Sequence, residues 1–165
     1  MLGALRLDAA TYEEIEADPK ATGEAAFVVV ASALVAAAGF ALRLGGTVNA
    51  GFLQAIGELV GWAFFAWCAY LVGVKLIPAP QTRSSWGEIA RTLGYATTPR
   101  FLLFLVVIPG LSGLVIAVVR IWILLATIVA LRSALDCGTL RAVVVAVLAS
   151  IVQVIIVAII AGILL

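Results

Sequence analysis

The chain has 165 residues, 65% of them apolar and only 12% charged, with a net charge of +1 and no histidine. Soluble domains are about 45–50% apolar and about 25% charged, so lipid must be the solvent for most of this chain. The charge balance argues against nucleic acid as a partner, because phosphate binding needs a clustered basic surface. Without histidine the commonest general base and metal ligand are missing, and no catalytic constellation, metal site or cofactor motif stands out.

The first stretch, residues 1–24, reads as a short, acidic, water-facing segment. It carries Asp8, Glu13, Glu14, Glu16, Asp18 and Glu24 against Arg6 and Lys20, unlike the basic-then-apolar order of a signal peptide. Thr11-Tyr-Glu-Glu14 has the form of a capping box and predicts a helix start there. Asp18-Pro19 predicts a second start, with an acid at the N-cap and proline in the first helical position.

The membrane domain is expected over residues 25–165. The first span, about 25–44, is apolar except for Ser32 and Arg43; its roughly 20 residues cover about 30 Å, one bilayer core. A glycine-containing turn, Leu44 to Gly51, lacks the Gly-Lys-Ser/Thr of a phosphate loop. The second span, about 51–77, contains Glu58, Trp62 and Trp67 and is closed by Lys75 and Pro78-Ala79-Pro80. Cys68 within it and Cys137 in a later polar loop have no metal-ligand spacing and read as free thiols.

Ser85-Trp-Gly-Glu88 predicts a further capped helix start. The apolar stretch from Phe101 to Leu131 is too long for one span and too short for two. Adding residues 88–100 makes room for a hairpin that turns at Pro109–Gly113. The third span is then about 88–108, kinked at Thr98-Pro99, and the fourth about 111–131. Four spans result instead if the 88–100 helix lies on the surface. The last span, about 140–165, has Gln153 as its only strongly polar side chain. The expected fold class is thus an all-α integral membrane bundle of five transmembrane helices. Basic residues orient it N-in and C-out: Arg6, Lys20, Lys75, Arg83, Arg91, Arg132 and Arg141 fall inside and Arg43 alone outside.

With these spans in place the chain resembles the Yip family, multi-span membrane proteins named in eukaryotes for binding Ypt/Rab GTPases. The resemblance covers nearly the whole chain and is carried by several features. These are the TYEEIEADP lead-in, the LGYATTP run from Leu93 to Pro99, the Pro-Gly turn after it, and Trp122 in the fourth span. Within that run Gly94, Tyr95 and Pro99 match the family's Gly-Tyr-x-x-x-Pro. The resemblance implies five spans, a cytoplasmic N-terminus, and a non-enzymatic role in trafficking or membrane organisation through partners. Eukaryotic members have a long N-terminal region with a Tyr-Gly-Pro element that is not found here, so GTPase binding does not carry over. The Ala/Val-rich, lysine-poor composition points to a short prokaryotic-type member in a plasma membrane.

Three charges fall inside spans. Glu58, Arg100 and Arg120 share a depth of roughly 10–14 Å from the outer ends, and intramembrane charges cost roughly 2.5–3.5 kcal/mol each on insertion scales. Three readings are open. Glu58 forms an ion pair with Arg100 or Arg120 that locks the bundle; one arginine snorkels to the interface; or the surplus arginine makes a positive site for an anion or a lipid headgroup. Gly94, Tyr95 and Pro99 read as a kink that allows packing, or as a hinge presenting Tyr95 to a partner. Gly57-x-x-x-Gly61 reads as a helix-contact motif, within the chain or between copies. The expected partners are therefore the bilayer and a homo-oligomer or other membrane proteins. The rival to a scaffold is an oligomeric small channel or transporter built on Glu58, Arg100 and Arg120.

Overall fold

The computed structural model describes residues 1–78, 82 and 84–164, without the side chains of 161, 163 and 164. Pro80, Arg83 and the terminal Leu165, which entered the expected span ends and charge balance, lie outside the described residues. Every regular element among the described residues is helical.

Two short helices, α1 (Leu2–Leu5) and α2 (Ala9–Ala17), precede a long α3 (Ala21–Leu44). α4 (Val48–Tyr70) continues as a π-helical segment, Leu71–Leu76. α5 (Trp86–Ala96) leads into a 3-10 helix, Thr98–Val107, and two long helices follow, α6 (Ser112–Ala134) and α7 (Thr139–Leu164). Four of these are long and apolar enough to cross a membrane: Ala21–Leu44, Val48–Leu76, Ser112–Ala134 and Thr139–Ile160.

The expected third span is not one kinked helix, and the reason is local. Pro99 has no N–H to give to the Tyr95 carbonyl, so the α-helical ladder stops there. The hydroxyl of Thr98 donates to the Tyr95 carbonyl at 2.5 Å, and that of Thr97 to the Gly94 carbonyl at 2.7 Å. Both carbonyls also accept a backbone N–H at the end of α5, so neither is left unsatisfied, which matters because an unsatisfied backbone group in lipid costs several kcal/mol. Beyond the proline the chain resumes in the tighter 3-10 form, over a run much longer than usual.

Three contacts set the course of this broken element. Gly94 packs on Ala25, Gly39 packs on Leu103 and Phe104, and the Arg43 guanidinium donates to the Val106 carbonyl at 3.0 Å. Residue numbers rise together on both sides, so α5 and the 3-10 helix run parallel to α3. From Ala25 to Gly39 α3 rises about 21 Å, and from Gly94 to Phe104 its neighbour rises about 19 Å. The two advance in step.

α5 is the most enclosed element: every residue from Ile89 to Pro99 is buried, Arg91 and Tyr95 among them. It packs against α3, α4 and α6, with α2 closing the remaining side. Ser85 and Glu88 form the expected capping box at its start, with bonds of 3.3 and 2.8 Å. α7 differs in kind. Its first half buries Ala142, Val145, Ala146 and Ala149, whereas from Val154 to Ile160 only Ile156 is even half-buried. That bare apolar half is a surface for lipid.

Two expected helix starts shift. Thr11 lies inside α2 rather than capping it; the helix begins at Ala9 after Asp8, and the Thr11 hydroxyl donates to Asp8 Oδ2 at 2.7 Å. Asp18 is not the N-cap of α3 but accepts the Lys20 amide at 2.9 Å, and the helix starts at Ala21.

Candidate functional site

Glu58 comes from the middle of α4, Arg100 from the first turn of the 3-10 helix and Arg120 from α6. Arg100 Nη1 lies 2.8 Å from Glu58 Oε2. That nitrogen is fully buried and its N–H is not aligned on any acceptor, so the contact is a charge pair rather than a well-formed hydrogen bond. Arg120 is exposed and has no ion-pair or hydrogen-bond partner among the described residues.

All three line one cavity of about 620 Å³ between α4, α5, α6 and α7. Trp62, Thr97 and Gln153 also line it, but their polar atoms are engaged. The Trp62 indole donates to the Ala90 carbonyl at 2.8 Å, the Thr97 hydroxyl to Gly94, and the Gln153 amide to the Gly61 carbonyl at 3.2 Å. Most of the wall is apolar. The cavity is therefore a largely greasy space with two arginines and one carboxylate at its polar end, a balance of one positive charge.

The motif residues take structural positions. A Cβ on Gly94 would fall 2.7 Å from the Ala25 Cβ, so only glycine allows α3 and α5 this close. Tyr95 is buried rather than presented at a surface, and its hydroxyl donates to Glu24 Oε2 at 2.6 Å, tying α5 to the start of α3. Pro99 is buried and breaks the helix as described.

Gly57 and Gly61 mark no close helix approach within the chain, although the Gly61 carbonyl accepts the Gln153 amide. A Cβ at either would meet nothing within 4 Å. The close approaches are made instead at Gly94, at Gly39, where a Cβ would fall 2.8 Å from the Phe104 Cα, and at Gly73, which packs on Leu135 and Val145. Small residues at helix crossings follow one rule in lipid, but which glycine faces a neighbour depends on helix rotation, which spacing alone does not fix.

The N-terminal segment keeps its acids in the open, since Asp8, Glu13, Glu14, Asp18 and Glu24 are exposed, yet it is docked. Ala4 and Tyr12 are fully buried, the Trp122 indole donates to the Leu5 carbonyl at 2.9 Å, and the Tyr12 hydroxyl reaches the Ala4 carbonyl. The Arg91 guanidinium grips the Glu16 carbonyl through Nε at 2.7 Å and through Nη2. Burial first, then the charges of Asp136 and Glu88, push the Glu16 carboxyl up to about 7 against the pull of Arg91. None of these docking partners was singled out by spacing. The one available signal was Tyr12 and Ile15, three apart on an otherwise acidic helix.

Cys68 and Cys137 are free thiols, the first buried and the second half-buried. Among the described residues no group of histidine, cysteine or acidic side chains is placed to hold a metal ion.

Compared with known families, the chain matches the family model described as Yip1 domain over residues 2–161. Neither a curated protein nor a solved structure gives a match.

Proposed function

Because the chain belongs to the Yip1 domain family and is a multi-pass membrane protein, we propose that it is a non-enzymatic scaffold for membrane organisation or trafficking. It acts through contacts with partner proteins. The observation that carries this reading is where its polar side chains are spent. Tyr95 ties to Glu24, Trp62 to Ala90, Trp122 to Leu5 and Arg91 to Glu16. Each joins one element to another, and none forms the nucleophile–base pair that chemistry needs.

Five crossings fit this reading. The parallel course of α5 and the 3-10 helix along α3 supports a third passage, of about 35 Å if the two pieces run end to end, enough for a bilayer core of about 30 Å. With N-in orientation the docked α1–α2 pair and its exposed acids sit at the cytoplasmic face, where a partner finds a fixed rather than a floppy acidic surface. A prokaryotic plasma membrane is the expected host.

The cavity favours a second reading, an oligomeric small channel or transporter using Glu58, Arg100 and Arg120. Ion flux across liposomes holding the purified protein separates the two. A scaffold leaves them tight. Flux that disappears in Arg120→Ala would sink the scaffold reading and establish the cavity as a permeation site.

A further inference from the structure

A cation near the middle of a bilayer needs a counter-charge or water, and no acidic side chain among the described residues pairs with Arg120. It lies eight positions into α6, about 12 Å from that helix's Ser112 end. Arg100 lies about 14 Å from the far end of the 3-10 helix, and Glu58 about 15 Å from the start of α4. The three charges share one level. Glu58 is engaged with Arg100 at 2.8 Å, which leaves Arg120 as the surplus charge on the cavity wall.

The shape of the cavity narrows what can answer that charge. Its walls are mostly apolar, with Phe65, Leu124, Val147 and Ile151 among them. Leu124, Val147 and Ile151 are exposed on the outside of the bundle as well as lining the cavity, so it opens sideways towards lipid between α6 and α7. Leu124, Val147 and Ile151 lie deeper than Arg120, so the apolar wall continues inward from the charge. A small hydrated anion would gain from Arg120 but nothing from the walls. An anion on an acyl chain would gain from both, by charge-assisted bonds at one end and by apolar contact along the other.

We propose that this cavity binds a monoanionic membrane lipid, its oxyanion headgroup held by Arg120 beside the Glu58–Arg100 pair and its acyl chain running inward along Leu124, Val147 and Ile151. The headgroup chemistry is a singly charged phosphodiester or carboxylate, which brings the site from one positive charge to neutrality. A zwitterionic headgroup would bring a cation towards Arg100 and Arg120 and is disfavoured. The inference rests on the membrane placement argued above and not on the scaffold role, so a flux result and a lipid-binding result are independent.

The test is lipid retention by the purified full chain, read by native mass spectrometry in a non-ionic detergent. Phosphatidylglycerol, phosphatidylcholine, oleate and inorganic phosphate are added separately to wild type, Arg120→Ala, Arg120→Lys and Arg132→Ala. One phosphatidylglycerol or oleate per chain is expected on wild type, Arg120→Lys and Arg132→Ala, with retention falling about 10- to 100-fold in Arg120→Ala. Preference between phosphatidylglycerol and oleate identifies which oxyanion the site takes; either supports the proposal. Equal retention by Arg120→Ala, equal retention of phosphatidylcholine, or displacement of the lipid by millimolar inorganic phosphate overturns it. Because Arg120 is exposed and unpaired, its removal leaves the fold intact, which an unchanged melting temperature checks.

Discussion

Gly94 and Ala25 meet with no room for another atom: a Cβ on Gly94 would fall 2.7 Å from the Ala25 Cβ and 3.1 Å from its carbonyl oxygen. The obstacle is partly backbone, so it cannot swing away. Gly94→Ala is expected to cost about 1–3 kcal/mol through overpacking. Gly57→Ala and Gly61→Ala, where a Cβ meets open space, should stay within about 0.5 kcal/mol of wild type in the folded monomer. Thermal unfolding in detergent separates the three. If Gly57→Ala and Gly61→Ala instead change the oligomer size on a sizing column, those glycines serve contacts between copies.

The threonines before Pro99 carry a second prediction. Thr98→Val removes the side-chain donor to the Tyr95 carbonyl, which keeps a backbone N–H at the end of α5, and is expected to cost about 0.5–1.5 kcal/mol, the net worth of one hydrogen bond. Pro99→Ala returns a backbone N–H to the helix. The double variant should therefore be more stable than Thr98→Val alone, a coupling that a double-mutant cycle measures directly. Simple additivity would mean that the hydroxyl does not substitute for the missing amide.

Glu58→Gln tests the ion pair. It leaves Arg100 mostly buried opposite a neutral amide. Removing one partner of a buried pair costs about 3–5 kcal/mol, but Glu58 is about one-third exposed, so about 1–3 kcal/mol is expected. Folded yield and melting temperature should both drop. Arg120→Ala should leave them unchanged, and a comparable loss there would mean that Arg120, not Arg100, is the structural partner.

Glu16 makes the docking of α2 sensitive to pH. Its carboxyl is pushed up to about 7 from the usual 4.5 by burial, with Asp136, Glu88 and Glu13 adding to the rise and Arg91 opposing it. A docked helix therefore holds a proton that an undocked one releases between those values. Docking is tightest below pH 4.5, weakens as pH rises through that window, and levels off above about 7. Hydrogen-exchange protection of residues 9–17, corrected for intrinsic rates, should be higher at pH 5 than at pH 8. Glu16→Gln should remove the difference while keeping the Arg91 bond, which uses the Glu16 carbonyl. An equal pH response in that variant would place the titrating group elsewhere.

The four long helices were legible in the sequence because lipid demands unbroken apolar runs, and each run was there to be measured. The proposed third passage was legible only by subtraction. Arg91, Thr92, Thr97 and Thr98 lie in it and are buried by protein instead of lipid, so hydropathy understates it. Pro99 announced a break but not the 3-10 form that follows it. The shared depth of Glu58, Arg100 and Arg120 came from counting along helices. Which arginine meets Glu58 did not, because it turns on rotation about each axis, and a 3-10 helix turns faster per residue than an α-helix. The docked N-terminus was the least legible part. Its buried face is Ala4, Tyr12 and Ile15, too few apolar positions to stand out among acids.

The bond between the Trp122 indole and the Leu5 carbonyl joins residues 117 apart, and it sets an order of events at the ribosome. Helices α1 and α2 are made before their seat on α6, which follows more than 100 residues later. At about 5–20 residues per second, α1 and α2 wait roughly 6–23 s for that seat. During that interval Tyr12 and Ile15 have no core to enter, and α5 has no α6 to enclose its threonines. Helices α1 and α2 therefore find their seat only after α6 has been made.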